Sequence, residues 1–360
     1  MASSVYAIVL AGGQGTRLWP LSRRARPKQV MPHPLTTATT LLGQTIERLT
    51  GIIVPSHIRV VTSRSHEPEV RRNIPSVVAR HMIIEEEPRG TAPAIALAAA
   101  TILRDDPDAI VVTINSDAFI RRESRYQLSI TRAIRIIRRH PRALLVVGMP
   151  ARSPDSGLGY IVSARPAIPP YPDVYRVARF FEKPTLKRAR ALITAGNCYW
   201  NPTIIVGHAS RLWESIRAHA PQIARGIVRV QHAASRGERK KIYHMIPAQS
   251  IDVGILEKEK HLWVLRSGDI GWSDIGQWAT VHDILTGQTR GSVVSIGAHI
   301  DYDSSKIMAY NTTSNLVATV GLTNAIIIAT NDVILVVDKR RAQDVKRLVA
   351  ELGGPYAKFR

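Results

Sequence analysis

Two cations, Arg17 and Lys28, stand behind three closely spaced glycines, Gly12, Gly13 and Gly15, that follow the apolar run Val5–Leu10. Glycines tolerate φ > 0, and without a Cβ they let backbone N–H groups converge on an anion. A glycine turn backed by an arginine and a lysine suits a phosphate, and best a nucleoside triphosphate. It is neither of the two familiar phosphate loops. No Gly-Lys-Ser/Thr closes it as in a P-loop, and Leu18 stands where a dinucleotide fingerprint needs its third glycine. Pro20 and Pro27 break the segment between the cations, so Lys28 must fold back to reach the glycines. The plainer reading is a strand-to-helix turn with a solvated basic tail.

Acidic and amide groups supply further candidates. Asp117 in INSDAF ends an apolar strand pattern, which places its carboxylate at the same sheet edge as the glycine turn. There it either ligates Mg²⁺, a hard cation that takes one or two carboxylates beside phosphate oxygens, or caps a turn. Asp274 in GDIGWSDIGQW has the same two readings, carboxylate ligand or helix N-cap. In FFEKPT, Lys183 could hold a ligand phosphate while Glu182 takes a sugar hydroxyl, and Asn201 in GNCYWNP offers an amide. The turn leading into Thr91-Ala92-Pro93 could read a purine edge through its backbone, although the alanine-rich helix behind it reads as buried packing.

The elements that must position these groups alternate. Val5–Leu10, Ile58–Thr62, Met82–Ile84, Ile110–Ile114 and Leu144–Val147 read as strands, with helices between them that include Ala92–Leu103 and Arg125–Arg139. Such alternation means βαβ units and a mostly parallel sheet, which binds ligands at its carboxyl edge. From Gly157 the pattern changes to strands Tyr160–Arg165 and Val174–Phe181, a helix near Leu186–Ala195, a strand Thr203–Val206 and helices from Ala209 to Met245. This predicts a second lobe closing over the first. Beyond Gly287, short strands (Ser292–Ile296, Leu316–Val320, Ala325–Ala329, Val333–Val337) and a terminal helix Arg341–Leu352 predict a small β-rich appendage. The expected domains are 1–286 and 287–360. No internal repeat or low-complexity tract is evident.

Composition narrows the class. At 360 residues and 45% apolar content the chain builds a sizeable core. A single cysteine, Cys198, excludes an internal disulfide or a cysteine zinc cluster and reads as a small buried hydrophobe. The N-terminus lacks a signal-like pattern, and Ala92–Leu103 is too short to span a bilayer, so a cytoplasmic protein without membrane insertion is expected. The net charge of +21 admits nucleic acid as a partner, but the arginine pairs are scattered and only 6% of residues are aromatic, which leaves little to stack bases. The charge reads mostly as solvated surface, with no specific nucleic-acid partner.

Taken in order, these segments resemble the bacterial mannose-1-phosphate guanylyltransferases, or GDP-mannose pyrophosphorylases, over essentially the whole chain. The opening LAGGQGTRLWPLSR with PKQ is similar to the mannose branch more than to the glucose or N-acetylglucosamine branches, and FFEKPT, CYWN, SIDVGILEK, GWSDIGQW and LVATVGL…AQDVKRLV are similar to later blocks. The resemblance implies a Rossmann-like nucleotide-diphospho-sugar transferase fold, α/β with a mixed, mostly parallel sheet and a small C-terminal β-rich appendage, without an isomerase domain. It implies transfer of GMP from GTP to mannose 1-phosphate with Mg²⁺, and it leaves a homodimer open. Nucleotide contacts then fall to Leu10, Ala11, Gly12, Gly13, Gly15, Thr16, Arg17, Glu85, Thr91, Pro93 and Asp117, with Arg17 and Lys28 catalytic. Sugar-phosphate contacts fall to Gly159, Tyr160, Glu182, Lys183 and Asn201, and the metal to Asp117 and Asp274. The chain departs from the usual pattern at Gly90 (commonly Asn), Ala118 (commonly His) and Pro202-Thr203 (commonly Ser-Gly). Two rivals stay open: another sugar 1-phosphate or NTP, and an inactive regulatory paralogue that binds nucleotide sugars.

Overall fold

The structure, a computed structural model, describes residues 3–13, 15–32, 39–287 and 292–360. Two compact units divide the chain. The first comprises Met1–Gly12, Thr45–Ser116 and Ile120–Trp272; the second comprises Gly13–Gln44, Asp117–Phe119 and Ser273–Arg360.

The first unit is built on one ten-stranded sheet. Its strands are β1 (Val5–Leu10), β2 (Ile58–Ser63), β3 (Ile83–Glu85) and β4 (Ile110–Asn115); next along the chain, outside this sheet, is the three-residue strand β5 (Ala118–Ile120), whose first two residues belong to the second unit. Then come β6 (Leu144–Pro150), β7 (Gly159–Ser163), β8 (Val174–Phe181), β9 (Cys198–Asn201), β10 (Ile205–His208) and β11 (Leu262–Arg266). Their order is β11-β8-β7-β9-β6-β10-β4-β1-β2-β3. β1 runs parallel to both β2 and β4, and β2 to β3, which makes this half the βαβ region. Toward the other edge β10 inserts antiparallel between β4 and β6, and β7, β8 and β9 pair antiparallel. The sheet is therefore mixed.

The second lobe expected from Gly157 is not a lobe. β7 to β11 extend the sheet that β1 began, because the switch from parallel to antiparallel pairing changes the sequence pattern without ending the sheet. The central strands are buried along nearly their whole length: β1 reads as an unbroken apolar run, and β2 and β4 bury Arg59, Thr62, Ser63 and Thr113 among their apolar residues. The alanine-rich helix Thr91–Asp105 is buried from Ala92 to Ala100, its small side chains letting helices Ala209–His219 and Pro221–Gln231 pack closely. Cys198 is buried beside Tyr160 and Ala189, as a small hydrophobe would be.

The second unit holds a four-stranded sheet of Val293–Ile296, Ile307–Asn311, Ala325–Ala329 and Ile334–Asp338, and a separate parallel pair, His299–Tyr302 with Val317–Val320. Its core is shared with the residues just behind the glycine turn. Leu18, Trp19 and Leu21 are buried with Trp278, Met308 and Tyr310, and the Trp278 indole donates to the Trp19 carbonyl at 2.8 Å. The terminal helix is in two parts, a 3-10 segment Lys339–Asp344 and the α-helix Val345–Glu351. The strand expected from Thr203 starts instead at Ile205, because Thr203 takes φ +59°.

Candidate active site

In the first unit, β1 and β4 end together. Their register pairs Leu10 with Asn115, and the Ser116 hydroxyl donates to the Leu10 carbonyl at 2.6 Å. The glycine turn therefore leaves the carboxyl edge of a central strand, and the stretch bearing Asp117 leaves the same edge. Both backbone groups of Ala11 are already engaged, the N–H with Val61 and the carbonyl with the Thr62 hydroxyl. Gly12 is different. Among the described residues, a Cβ there would meet a single neighbouring atom, Glu85 Oε2, at 3.7 Å, so the space beside it is otherwise open.

Glu85 closes β3 and is only 3% exposed. Its Oε1 accepts a 2.6 Å hydrogen bond from the hydroxyl of Tyr243, on helix Arg236–His244. Burial pushes the carboxyl up to about 7 against the lowering effect of that bond. Nearby, Gly90 initiates helix Thr91–Asp105 at φ 86°, ψ 177°, a region essentially reserved to glycine. The Thr91 hydroxyl accepts from the Ile251 N–H at 2.8 Å, and Pro93 is buried in the first turn.

At the antiparallel end of the same sheet, Gly159, Glu182 and Asn201 converge. A Cβ on Gly159 would lie 2.7 Å from Glu182 Oε2 and 3.4 Å from Asn201 Cβ. Lys183, at φ +46°, pairs with Glu182 at 3.1 Å and extends into solvent. Asn201 donates to Asp252 Oδ1 at 2.7 Å and accepts from the Thr203 N–H at 3.0 Å. Asp252 is pushed up to about 6 by burial and then by the Glu182 carboxylate, against the Asn201 bond. Tyr160 does not join this group through its side chain. Its ring is fully buried and its hydroxyl both accepts from and donates to the Asp155 backbone.

The second unit carries the cations. Gly15, at φ +65°, leads into the 3-10 turn Thr16–Leu18, which carries Arg17. The stem of Lys28 lies directly on Gly15, where a Cβ would be 2.8 Å from Lys28 Cδ. Lys28 Nζ is 2.5 Å from Asp117 Oδ2 and donates to the Ile275 carbonyl at 3.3 Å. Burial works to lower the ammonium pKa, but the Asp117 and Asp274 carboxylates together outweigh it, and the net shift is upward despite Arg17 nearby. Asp274 is not a helix cap: the following helix, Trp278–Thr286, has Gln277 at its N-cap.

Two carboxylates thus share the field of one lysine. Among the described residues no group of three or more His, Cys, Asp and Glu side chains gathers as a metal site. A two-carboxylate set fits Mg²⁺, which commonly completes its shell with water and substrate phosphates, and does not fit a metal that needs a full protein cage.

Sequence reasoning missed Asp252 and Tyr243. Asp252 sits in the quoted SIDVGILEK block without drawing notice as an acid. Tyr243 carries no local signal, since its partner lies 158 positions away.

The fold and the glycine turn define an α/β nucleotide-binding protein. A family model for nucleotidyl transferases matches residues 6–290, and one for the MannoseP isomerase/GMP-like beta-helix domain matches residues 297–352. The chain belongs to the nucleotidyl transferase family. It is 32% identical to a putative mannose-1-phosphate guanylyltransferase of Vibrio cholerae, over 96% of this chain and 74% of that protein. It is 30% identical to the mannose-1-phosphate guanylyltransferase of Escherichia coli, over 95% of this chain and 72% of that one. The crystal structure of a Thermus thermophilus protein, described as a mannose-1-phosphate geranyltransferase, superposes with a TM-score of 0.87 at 27% identity, covering 97% of this chain and 99% of that one.

Proposed function

We propose that this protein transfers GMP from GTP to α-D-mannose 1-phosphate, releasing GDP-mannose and pyrophosphate. One observation carries the reading: Arg17, Lys28, Asp117 and Asp274 gather behind Gly15 in a chain whose relatives are named for this reaction. An oxygen of the sugar phosphate attacks the α-phosphorus in line; the bond from that phosphorus to the α–β bridging oxygen breaks, and its electron pair leaves with pyrophosphate. No protein nucleophile is needed. A phosphate monoester is largely dianionic at neutral pH, its second pKa being about 6, so hardly a general base is needed either. What the protein supplies is placement of two anions that repel each other, and charge to meet the departing pyrophosphate.

The backbone N–H groups of Gly12, Gly13, Gly15 and Thr16, with Arg17, take the triphosphate, and Lys28 takes the α-phosphate. Leu10, Ala11, Glu85, Thr91 and Pro93 frame the base. Lys183 takes the sugar phosphate, and Gly159, Glu182 and Asn201 the hexose. Asp117 and Asp274 hold Mg²⁺, which when bound neutralises phosphate charge. Residues 1–286 form the transferase domain and 287–360 the β-rich one. Among the described residues no helix is long and apolar enough to cross a membrane. The reading places the enzyme in the cytoplasm, where its nucleotide substrate is.

Pyrophosphate release measured over a matrix of NTPs and sugar 1-phosphates tests this. GTP with mannose 1-phosphate gives the highest kcat/KM; a preference for UTP or dTTP with glucose 1-phosphate overturns it.

A further inference from the structure

We propose that Tyr243 is a specificity-determining positioning residue for the nucleotide base: its hydroxyl fixes Glu85 so that the carboxylate faces the open space at Gly12 and accepts the N1–H and 2-amino group of guanine. This rests on the reading of the Gly12–Glu85 corner as the base end of the nucleotide site.

The geometry supports an oriented reader. Glu85 Oε1 is committed to Tyr243 at 2.6 Å, while among the described residues no donor reaches Oε2. Among the described residues beyond Gly12's own chain neighbours, that oxygen is the one atom within 4 Å of where a Gly12 side chain would begin. An ionised carboxylate is an acceptor only. Guanine offers it two adjacent donors on its Watson–Crick edge; hypoxanthine offers N1–H alone, and adenine turns an unprotonated ring nitrogen toward it. A site built to bond a donor rejects the analogue that lacks it, because the buried acceptor is then left unpaired.

The charge state of Glu85 matters, and its surroundings are known. Arg239 lies on the helix with Tyr243 and donates to the Ile84 carbonyl at 3.3 Å. Glu86 is occupied by Arg64, Arg236 and Arg239, and Glu87 by Arg89 and His244. On the β2 side the register partner is Ser63, and helix Thr91–Asp105 begins without an acidic residue in its first turn. Among the described residues no cation therefore pairs with Glu85 directly, and the Tyr243 hydroxyl is the one group that favours its carboxylate form against burial. Protonation near pH 7 removes an acceptor that guanine needs. Base selection therefore weakens as pH falls, and removing the Tyr243 hydroxyl moves that loss to higher pH.

The test compares GTP with ITP, whose triphosphates titrate alike, in wild type, Tyr243→Phe and Glu85→Gln, with kcat and KM resolved from pH 5.5 to 8.5. GDP and IDP affinities by calorimetry supply a readout independent of turnover. In wild type the GTP:ITP preference rises with pH through about 7. Tyr243→Phe lowers that preference at pH 7 about tenfold, the scale of one hydrogen bond to a charged group, through KM rather than kcat, and moves its midpoint upward. Glu85→Gln abolishes the pH dependence of the ratio. A wild-type preference that titrates but is unchanged in Tyr243→Phe leaves the tyrosine as packing and overturns the proposal, as does a wild type that does not distinguish GDP from IDP. Absence of turnover on any nucleotide with mannose 1-phosphate defeats the reaction assigned above, and the calorimetric comparison still decides the role of Tyr243.

Discussion

Replacing Lys28 by alanine separates the ion pair that the structure shows from the catalytic role proposed for the same side chain. The Lys28 side chain is 12% exposed and pairs at 2.5 Å with Asp117, itself 19% exposed, within the field of Asp274. Breaking a fully buried pair by removing one partner costs about 3–5 kcal/mol; with one carboxylate reached by solvent the expected loss is smaller, about 2–3 kcal/mol. Catalysis suffers separately. Losing one transition-state donor to phosphate lowers kcat by a factor on the order of 10²–10³, or roughly 3–4 kcal/mol of barrier. The assays are thermal melting with and without Mg²⁺, and kcat and KM under saturating substrates. Without metal, Lys28→Ala melts lower by several degrees. Because the variant leaves two carboxylates without their shared cation, Mg²⁺ restores more stability to it than to wild type, yet kcat stays low. Lys28→Met, which keeps the stem packed on Gly15, behaves the same in kcat. A near-normal kcat with a raised KM would refute the catalytic assignment and make Lys28 a ground-state contact.

Asp117→Asn and Asp274→Asn should each cut turnover by orders of magnitude or raise the Mg²⁺ midpoint sharply; Asp274→Asn melts near wild type, whereas Asp117→Asn, which takes the ion-pair partner from Lys28, melts lower, and unchanged Mg²⁺ titrations would remove both from the metal site. Gly15→Ala places a Cβ on the stem of Lys28 at φ +65°, so kcat should fall as far as in Lys28→Ala, and an active variant would show that the turn repacks. Asp252→Asn should stabilise the protein at neutral pH. With a folded pKa of about 6 against an unfolded value of about 4, the folded state binds the extra proton between those values, so stability falls as pH rises from about 4 to about 6. The amide escapes that loss, which is about 2–3 kcal/mol above pH 6 and nil below pH 4. Equal urea midpoints for the two proteins at pH 7.5 would contradict it.

How much of this was legible depended on the range of the interaction. The strand Val5–Leu10 with its glycine turn, and the strand Val174–Phe181, declare themselves locally by apolar runs and turn residues, and the structure draws their bounds where the sequence does. The parallel-to-antiparallel change after Gly157 looks the same locally as a new domain, because period and length do not encode which edge a strand joins. Trp19 was legible as part of a signature and not as core, since it packs against Trp278, 259 positions away. Asp252 and Tyr243 were silent for the same reason: a buried carboxylate acquires its character from partners brought by the fold.

The departures at Gly90 and Thr203 show the converse, local residues whose meaning is topological. A side chain at Gly90 would meet the Gln249 carbonyl at 2.5 Å, at a φ and ψ that only glycine holds easily. That close approach is what lets Ala92 N–H donate to the Gln249 carbonyl, Gln249 N–H to the Arg89 carbonyl, and Ile251 N–H to the Thr91 hydroxyl. Three bonds thus clamp residues 249–251 to the start of the alanine-rich helix, and the next residue, Asp252, arrives at Asn201. On the other side of Asn201, Thr203 sits at φ +59°, costly for a β-branched residue, held by the Asn201 side chain at its N–H and the Thr113 hydroxyl at its carbonyl. Asn201 therefore has its amide committed to Asp252 and its oxygen to Thr203. The Asn201 side chain is thereby held in one orientation, maintained from one side by the close approach at Gly90 and from the other by the positive φ of Thr203.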